Sequence, residues 1–299
     1  MMVFAALALA VTLAQGTAAH QAPQTDETVP APRGGRLTIS NFAGDVTIHT
    51  WDKDTIHVVA HHPSRTRVEI QPNPGGVRIS ASGTRGPQGS VDYDITAPGW
   101  MPIKVDGHFN FITIDGAQAE VSAESVRGDI VIKGGTGFVT AKSIQGEIVV
   151  EGARGKVSVS SVNEGIKISD TSGEITADSV NGAITMTRMD SKSVEASTVN
   201  GDISYEGTLP DGGHYNLATH NGDVLLAIPE TANATFTVRT YNGEFRSDLP
   251  LQGGGSQPIK QGKRVTLTLG NGSADVSLES FGGEIRVRKA TATRPRGRQ

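Results

Sequence analysis

The chain has 299 residues and no cysteine; 37 residues are glycine, 19% are charged, 5% are aromatic, and the formal net charge is −4. The missing cysteine excludes a disulfide framework, a lipidated cysteine and thiolate chemistry, and the acidic balance argues against bulk attraction to nucleic acid. With so few rings, the interior must be built from Val, Ile, Leu and Ala.

Residues 1–19 read MMVFAALALAVTLAQGTAA, apolar from Val3 to Ala14 and small thereafter. That is the layout of a secretory signal peptide, shorter than a membrane span. It predicts export to the periplasm or cell surface, with cleavage after Ala18 or Ala19. No later segment is apolar enough to be a transmembrane span. Residues 20–35 read as a flexible leader.

From 36 to 100, alternation at Leu37–Ile39, Val46–Ile48, Ile56–Val58, Val68–Ile70 and Val77–Ile79 predicts strands at loose spacing. These are expected as irregular early coils or a β cap of one domain. Asp52 and Asp54 look like paired carboxylates, but a hairpin turn is the expected role, with Trp51 covering the end of the early coils. His57, His61 and His62 look like metal ligands. On a strand, however, residues four apart are about 13 Å apart, and His62 faces away from His61, so solvated strand histidines are expected. Trp100 reads as a cap on the stack or as a sugar-binding platform.

From 101 to 205 the chain keeps a nine-residue clock. Ile103, Ile112, Val121 and so on to Ile184 are nine apart, and each is followed two residues later by a second apolar residue, from Val105 to Met186. Each unit is a short strand with one buried face. The turns alternate: SVRG, SIQG, SVNE and SVNG recur every 18 residues, with GGTG, GARG and DTSG between them. A unit this short cannot bury its own apolar face, so copies must stack. The predicted fold is all-β: a single-stranded parallel β-helix, that is, a two-sided β-solenoid. It has about 18 residues per coil and a looser N-terminal β region, strand n lying beside strand n+2. A hexapeptide helix would show period six and is rejected. The register places Asp115, Lys133 and Glu151 on successive rungs of one side, and Glu124 and Lys142 on the other.

Beyond 186 an extra residue near Asp190 slips the clock to Val194 and Ile203. From 206 to 288 the coils lengthen, with Gly201, Gly222 and Gly243 each 21 apart. Strands end near Val265–Leu269, Val276–Leu278 and Ile285–Val287. Loops at 82–90, 206–214 and 247–258 are rich in Gly, Pro and Ser. Residues 289–299 read as a basic disordered tail, and six Lys/Arg with no acid fall between Arg286 and Gln299.

The motif S/T-V-N-G-D/E-I recurs through the domain, and its candidate residues are structural turns. They are Gly128, Gly146, Asn181, Gly182, Asn200, Gly201, Asn221, Gly222, Asn242, Gly243 and Gly283. A tight corner that needs positive φ explains Gly and Asn. Ser or Thr can bond a nearby amide, and the acid can accept a turn N–H. The competing reading, a calcium ladder, lacks the G-G-x-G-x-D pattern and has Ala183 in place of an acid. No catalytic, cofactor-binding or metal-ligating signature is found. The outer rows, among them Lys104, Ser122, Thr140 on one face and Thr113, Val131, Val149 on the other, are flat and weakly polar, suited to an extended ligand and without a pocket.

The stretches VDYDITAPGWMPIKV, SVRGDIVI, SIQGEIVV and TVNGDISY, with the upstream VPAPRGGRLTISNFAGDVTIHTWDKDTIHVVA, resemble an uncharacterised bacterial β-strand-repeat family labelled as adhesins. The resemblance covers roughly 30–288. It implies an exported β-helix and brings no catalytic residues, metal or cofactor. The expected function is an exported non-enzymatic solenoid, adhesin-like or an envelope scaffold, binding a glycan, cell-wall or protein partner, with a homo-oligomer or fibre also open. The alternative is a polysaccharide-acting β-helix lyase or hydrolase, which would need acids clustered on one outer face. The basic tail could dock on an anionic lipid or polymer.

Overall fold

The computed structural model describes residues 25–84, 86, 89–253 and 264–290. The expected signal peptide, residues 20–24 of the leader and residues 291–299 of the tail lie outside them. The described residues form strands and turns with no helix. The first strands are β1 (Thr25–Pro30), β2 (Arg36–Ala43), β3 (Val46–Trp51), β4 (Thr55–His61), β5 (Thr66–Asn73), β6 (Gly76–Gly83) and β7 (Asp92–Pro98). The clock region follows as β8 (Ile103–Phe109), β9 (Ile112–Ala117), β10 (Val121–Arg127), β11 (Ile130–Gly134), β12 (Thr136–Gln145), β13 (Ile148–Glu151), β14 (Arg154–Ser161), β15 (Ile166–Ser169), β16 (Ser172–Ser179), β17 (Ile184–Asn200) and β18 (Ile203–Gly207). The last are β19 (His214–Asn221), β20 (Val224–Ile228), β21 (Ala234–Thr240), β22 (Phe245–Ser247), β23 (Arg264–Leu269), β24 (Ala274–Ser280) and β25 (Ile285–Lys289).

Strand n does lie beside strand n+2 through the clock region. Ile103 faces Val121, Val121 faces Val139, and Ile112 faces Ile130, all parallel and in register. Every clock position from Ile103 to Met186 is at most 2% exposed, each Val or Ile contributing about 1.5–3 kcal/mol. The result is a two-sided β-solenoid whose two sheets share one aliphatic core. The long strand β17 turns a corner and belongs to both sheets. The extra residue is Lys192: Ser191 faces Gly173 and Ser193 faces Glu174, leaving a bulge between them. The charged rungs fall as expected, with Lys133 between Asp115 and Glu151 and Lys142 3.3 Å from Glu124.

Both ends depart from sequential stacking. One sheet runs β1-β4-β7-β3-β9 and ends β20-β25-β22. The other runs β5-β6-β2-β8 and ends β19-β24-β21-β23. The β2–β3 coil is therefore inserted between β6–β7 and β8–β9, and the β24–β25 coil between β19–β20 and β21–β22. Alternation encodes which face is buried, not which strand is the neighbour, so this order is invisible in the pattern. The antiparallel pairs β1–β4–β7, β5–β6 and β21–β23 lie at the two ends, where outer strands carry Pro30, Pro72, Arg67 and Glu69. Charge and proline blunt an open edge.

Several local expectations change accordingly. Thr25–Pro30, expected as leader, forms edge strand β1. The Asp52–Asp54 turn is not a hairpin, because β7 lies between β3 and β4. Trp51 is not at the end of the stack, since β3 is paired on both edges. Gly243 does not sit on Gly222; Gly283 lies between them.

The core changes character in the later coils. Tyr205 and Tyr215 meet edge to face at 5.7 Å, and the Tyr205 hydroxyl donates to Thr208 O at 2.9 Å. Burial raises both phenols, Tyr215 to about 12. Tyr93 is also buried, which pushes its phenol up, and its hydroxyl has no hydrogen-bond partner among the described residues. Removing an unsatisfied buried hydroxyl recovers its desolvation cost. Tyr93→Phe is therefore expected to raise stability by about 1 kcal/mol, read from the denaturation midpoint; a loss of similar size would show that the hydroxyl is satisfied.

Candidate functional site

The repeated motif builds one corner of the solenoid, and its five positions form five columns along the stack. In the first column the hydroxyls of Ser125, Ser143, Thr198, Thr219 and Ser280 are buried and donate to backbone carbonyls of the adjacent coil, Thr219 to Gly201 O at 2.8 Å for example. The Ser179 and Ser280 oxygens also accept from Gly182 N and Gly283 N. In the amide column, Asn221 donates to Asn200 Oδ1 at 2.8 Å, Asn200 to Asn181 at 2.9 Å, and Asn181 to Asn163 at 3.2 Å. Acids close the corner: Asp129, Asp202 and Asp223 each accept the N–H of the next coil's acid at 2.7–2.8 Å. The carboxylates are thus engaged in turn bonding, the role expected from the spacing.

The glycine column has a different cause from the one expected. Of the turn glycines named above, Gly128 alone has positive φ. Gly146, Gly182, Gly201, Gly222, Gly243 and Gly283 are there because a Cβ on any of them would overlap a backbone carbonyl of the adjacent coil. Positive φ belongs to the opposite corner, where Gly116, Gly134, Gly152, Asp170 and Arg188 recur every 18 residues. There Asp170 and Arg188 form a bidentate ion pair.

The remaining motif position is apolar and faces outward. By register the column reads Phe42, His108, Val126, Ile144, Val162, Val180, Val199, His220, Phe281 and Tyr241. Ile144 is 46% exposed, Val180 41% and Val199 45%. Rings gather at both ends. Phe42 packs on Phe109 at 5.5 Å and His108 at 5.8 Å; His220 stacks on Phe281 at 4.6 Å, with Tyr241 5.1 Å further on. Two grooves lie against the column. One of about 700 Å³ follows Phe42, His108, Val126, Ile144 and Val162, and one of about 510 Å³ follows Val199, His220, Tyr241 and Phe281. The face expected to be flat and pocketless therefore has an apolar ridge and two grooves. The signal was present: inward parity at Val121, Ala123 and Ser125 puts Val126 outside, yet the position is Val, Ile, Phe or Tyr at every copy but His108 and His220. Of the eight phenylalanines, Phe42, Phe109, Phe111, Phe138 and Phe281 are at least 40% exposed. Most of the phenylalanines are thus on the surface, while Phe236, Tyr93, Tyr205 and Tyr215 are in the core, and apolar residues gathered on a surface mark interaction sites.

The other candidates hold the N-terminal coils together. His57 Nε2 lies 2.9 Å from Asp26 Oδ1, and His62 Nε2 lies 2.9 Å from Thr25 Oγ1, so two of the three histidines fasten β1. Trp51 Nε1 donates to Thr55 O at 2.7 Å. Trp100 Nε1 donates to Asp54 Oδ1 at 3.1 Å, and the Arg33 guanidinium, paired with Asp54, lies 4.4 Å from the Trp100 ring centre. Asp54 and Trp100 thus anchor the segment after β1. At the acid end of the corner, burial and the charge of Asp92 raise the Asp45 carboxyl above its ordinary range.

The Toastrack DUF4097 family model matches residues 35–288. No curated protein matches the chain. Among solved structures, a proposed cell adhesion protein from Clostridium sporogenes is similar at 8% identity, covering 89% of this chain and 99% of that one, with a TM-score of 0.21. No helix among the described residues is long and apolar enough to cross a membrane.

Gly146→Ala is expected to destabilise by about 2 kcal/mol or more, because the coils must separate to admit the methyl group. Gly152→Asn should cost under about 1 kcal/mol, since Asn tolerates positive φ and the nearest atom is 4.0 Å from the new Cβ. A reversed order in chemical denaturation would refute this account of the two corners. For Asp45, a raised native pKa means the ionised form is disfavoured in the folded state, so stability is gained as pH falls through that pKa. Asp45→Asn is expected to raise the unfolding midpoint at pH 7, and the gain should vanish below about pH 4. A gain that persists in acid would point to a cause other than ionisation.

Proposed function

The chain belongs to the Toastrack DUF4097 family, and we propose that it acts by binding rather than catalysis, as an exported, adhesin-like or scaffolding β-solenoid of the cell envelope. The observation that carries this reading is the outward column, Val, Ile, Phe or Tyr at every rung but His108 and His220, and bordered by two grooves. A single exposed valine has no meaning on a protein surface, but a contiguous apolar strip has. The column also stands on a rigid base. The rungs are paired by ladder hydrogen bonds, and those of Val162, Val180, Val199 and His220 add a buried Ser or Thr and a stacked Asn, so a partner would lose little entropy to ordering this surface. The use made of the carboxylates supports binding over hydrolysis. An acid–base pair must face its substrate, whereas Asp129, Asp202 and Asp223 accept backbone amides, and Asp92 accepts the Asp45 N–H at 2.9 Å. The layout of residues 1–19 supports export.

The test is retention of the purified chain on envelope polysaccharide, peptidoglycan and surface-protein fractions, with a parallel assay for newly released reducing or unsaturated ends. Retention without release is expected. The combined variant Val126→Ser, Ile144→Ser, Val180→Ser and Val199→Ser should weaken retention by about tenfold or more with an unchanged thermal midpoint. Release of chain ends would make the protein an enzyme, and retention untouched by the variant would move the binding surface elsewhere.

A further inference from the structure

Given that binding reading, we infer that the occupant of the apolar column is a cationic amphipathic α-helix of a partner protein. Three features of the column select it. The first is composition. Between its aromatic ends the column is Val126, Ile144, Val162, Val180 and Val199: branched knobs with gaps between them, which interlock with other aliphatic side chains. A sugar ring stacks best on a flat aromatic face, and rings are confined here to the two ends.

The second is pitch. The knobs recur at the interstrand distance, about 4.8 Å. An α-helix laid along the column presents its apolar stripe once per turn, about every 5.4 Å. The mismatch is about 0.6 Å per turn, so knobs and gaps stay within half a rung over about four turns. An extended strand repeats its same-face side chains about every 6.7 Å and falls out of step within two rungs. Pitch therefore favours a helix engaged over about four turns, about 14 residues, over a strand.

The third is charge. Carboxylates border the column on both sides: Glu124, Asp178 and Glu279 stand two residues before it on the strands, and Asp129, Asp202 and Asp223 close the turn beyond it. On the strand side, Lys142 and Arg239 are taken up by Glu124 and Glu279 at 3.3 and 3.7 Å, so the border stays acidic overall. A helix with leucine-type residues in one stripe and Lys or Arg on both shoulders meets apolar knobs in the middle and carboxylates on either side. This is the helix-in-groove mode of recognition, with a sheet corner supplying the groove.

The probe is a synthetic peptide of about 18 residues with leucines in one helical stripe and lysines on both shoulders, compared with a scrambled peptide of the same composition and with the glutamate analogue. Binding to the purified chain is read by fluorescence anisotropy, and helix formation by circular dichroism. The striped lysine peptide should bind about tenfold tighter than either control and become helical on binding. Its affinity should fall as salt rises from about 0.05 to 0.5 M. Ile144→Ser with Val180→Ser should weaken binding by about tenfold. Glu124→Lys with Asp178→Lys should turn the preference toward the glutamate analogue, a gain that no unfolded variant could produce. Equal binding of striped and scrambled peptides, or binding indifferent to both variants, would overturn the inference. If no peptide binds while envelope retention still depends on the column, the helix falls and the binding surface stands; if column-dependent retention is also absent, both fall.

Discussion

The structure depends on how closely one corner of the coil approaches the next. At the S/T-V-N-G-D/E corner the carbonyl of one coil occupies the space that a Cβ on the next would need. This contact demands glycine at Gly128, Gly146, Gly182, Gly201, Gly222, Gly283 and Gly243, while Asn110 and Glu164 hold the same place in two other coils; where it operates it locks the register more tightly than aliphatic packing could, since Val and Ile rows tolerate small shifts. Once that position is fixed, the others follow as rows: hydroxyls inside, amides stacked, acids bonded to the next turn, and one apolar residue left outside. The ligand surface and the structural ladder are the same object seen from two directions.

Much of this was legible because a solenoid writes one sentence repeatedly. Ile103 to Met186 announce parallel strands by number alone, since a nine-residue period with two apolar beats has few other physical solutions. The turn columns were legible as turns, and Asp129 and Ser280 do what their residue types suggest. The reason for the glycines was not legible. Gly146 and Gly152 are the same letter, yet one is needed for closeness and the other sits where φ is positive. A sequence shows that a side chain is missing without showing what fills its place. Asp170 and Arg188, standing at the positive-φ corner, are the residues that give the distinction away.

The ends were illegible for a different reason. In the middle of the stack a strand's neighbour is set by chain connectivity, 18 residues before and after. At the ends, longer loops free the chain from that rule. Placing β2 between β6 and β8, and β24 between β19 and β21, hides the most regular terminal coils and leaves antiparallel strands such as β5 and β23 outside. The outward column was missed because Val inside a motif rich in turn residues reads as part of a strand. Its parity showed that it faces water, and its persistence showed that it is not incidental.

The buried position of the β24–β25 coil also decides how the molecule carries a mechanical load. Among the described strands, β25 is the one nearest the C-terminal end, and it is hydrogen-bonded along both edges, to β20 and β22. It cannot be peeled away one bond at a time. Pulled along its length, it loads two ladders in shear, and many hydrogen bonds must yield together. At the other end β1 is an edge strand that can peel, but the force then arrives at β2, again held on both sides. A solenoid stacked strictly in chain order would unwind from its tips like thread from a spool. Here the β2–β3 and β24–β25 coils are each held between two others, and the stack resists as a block.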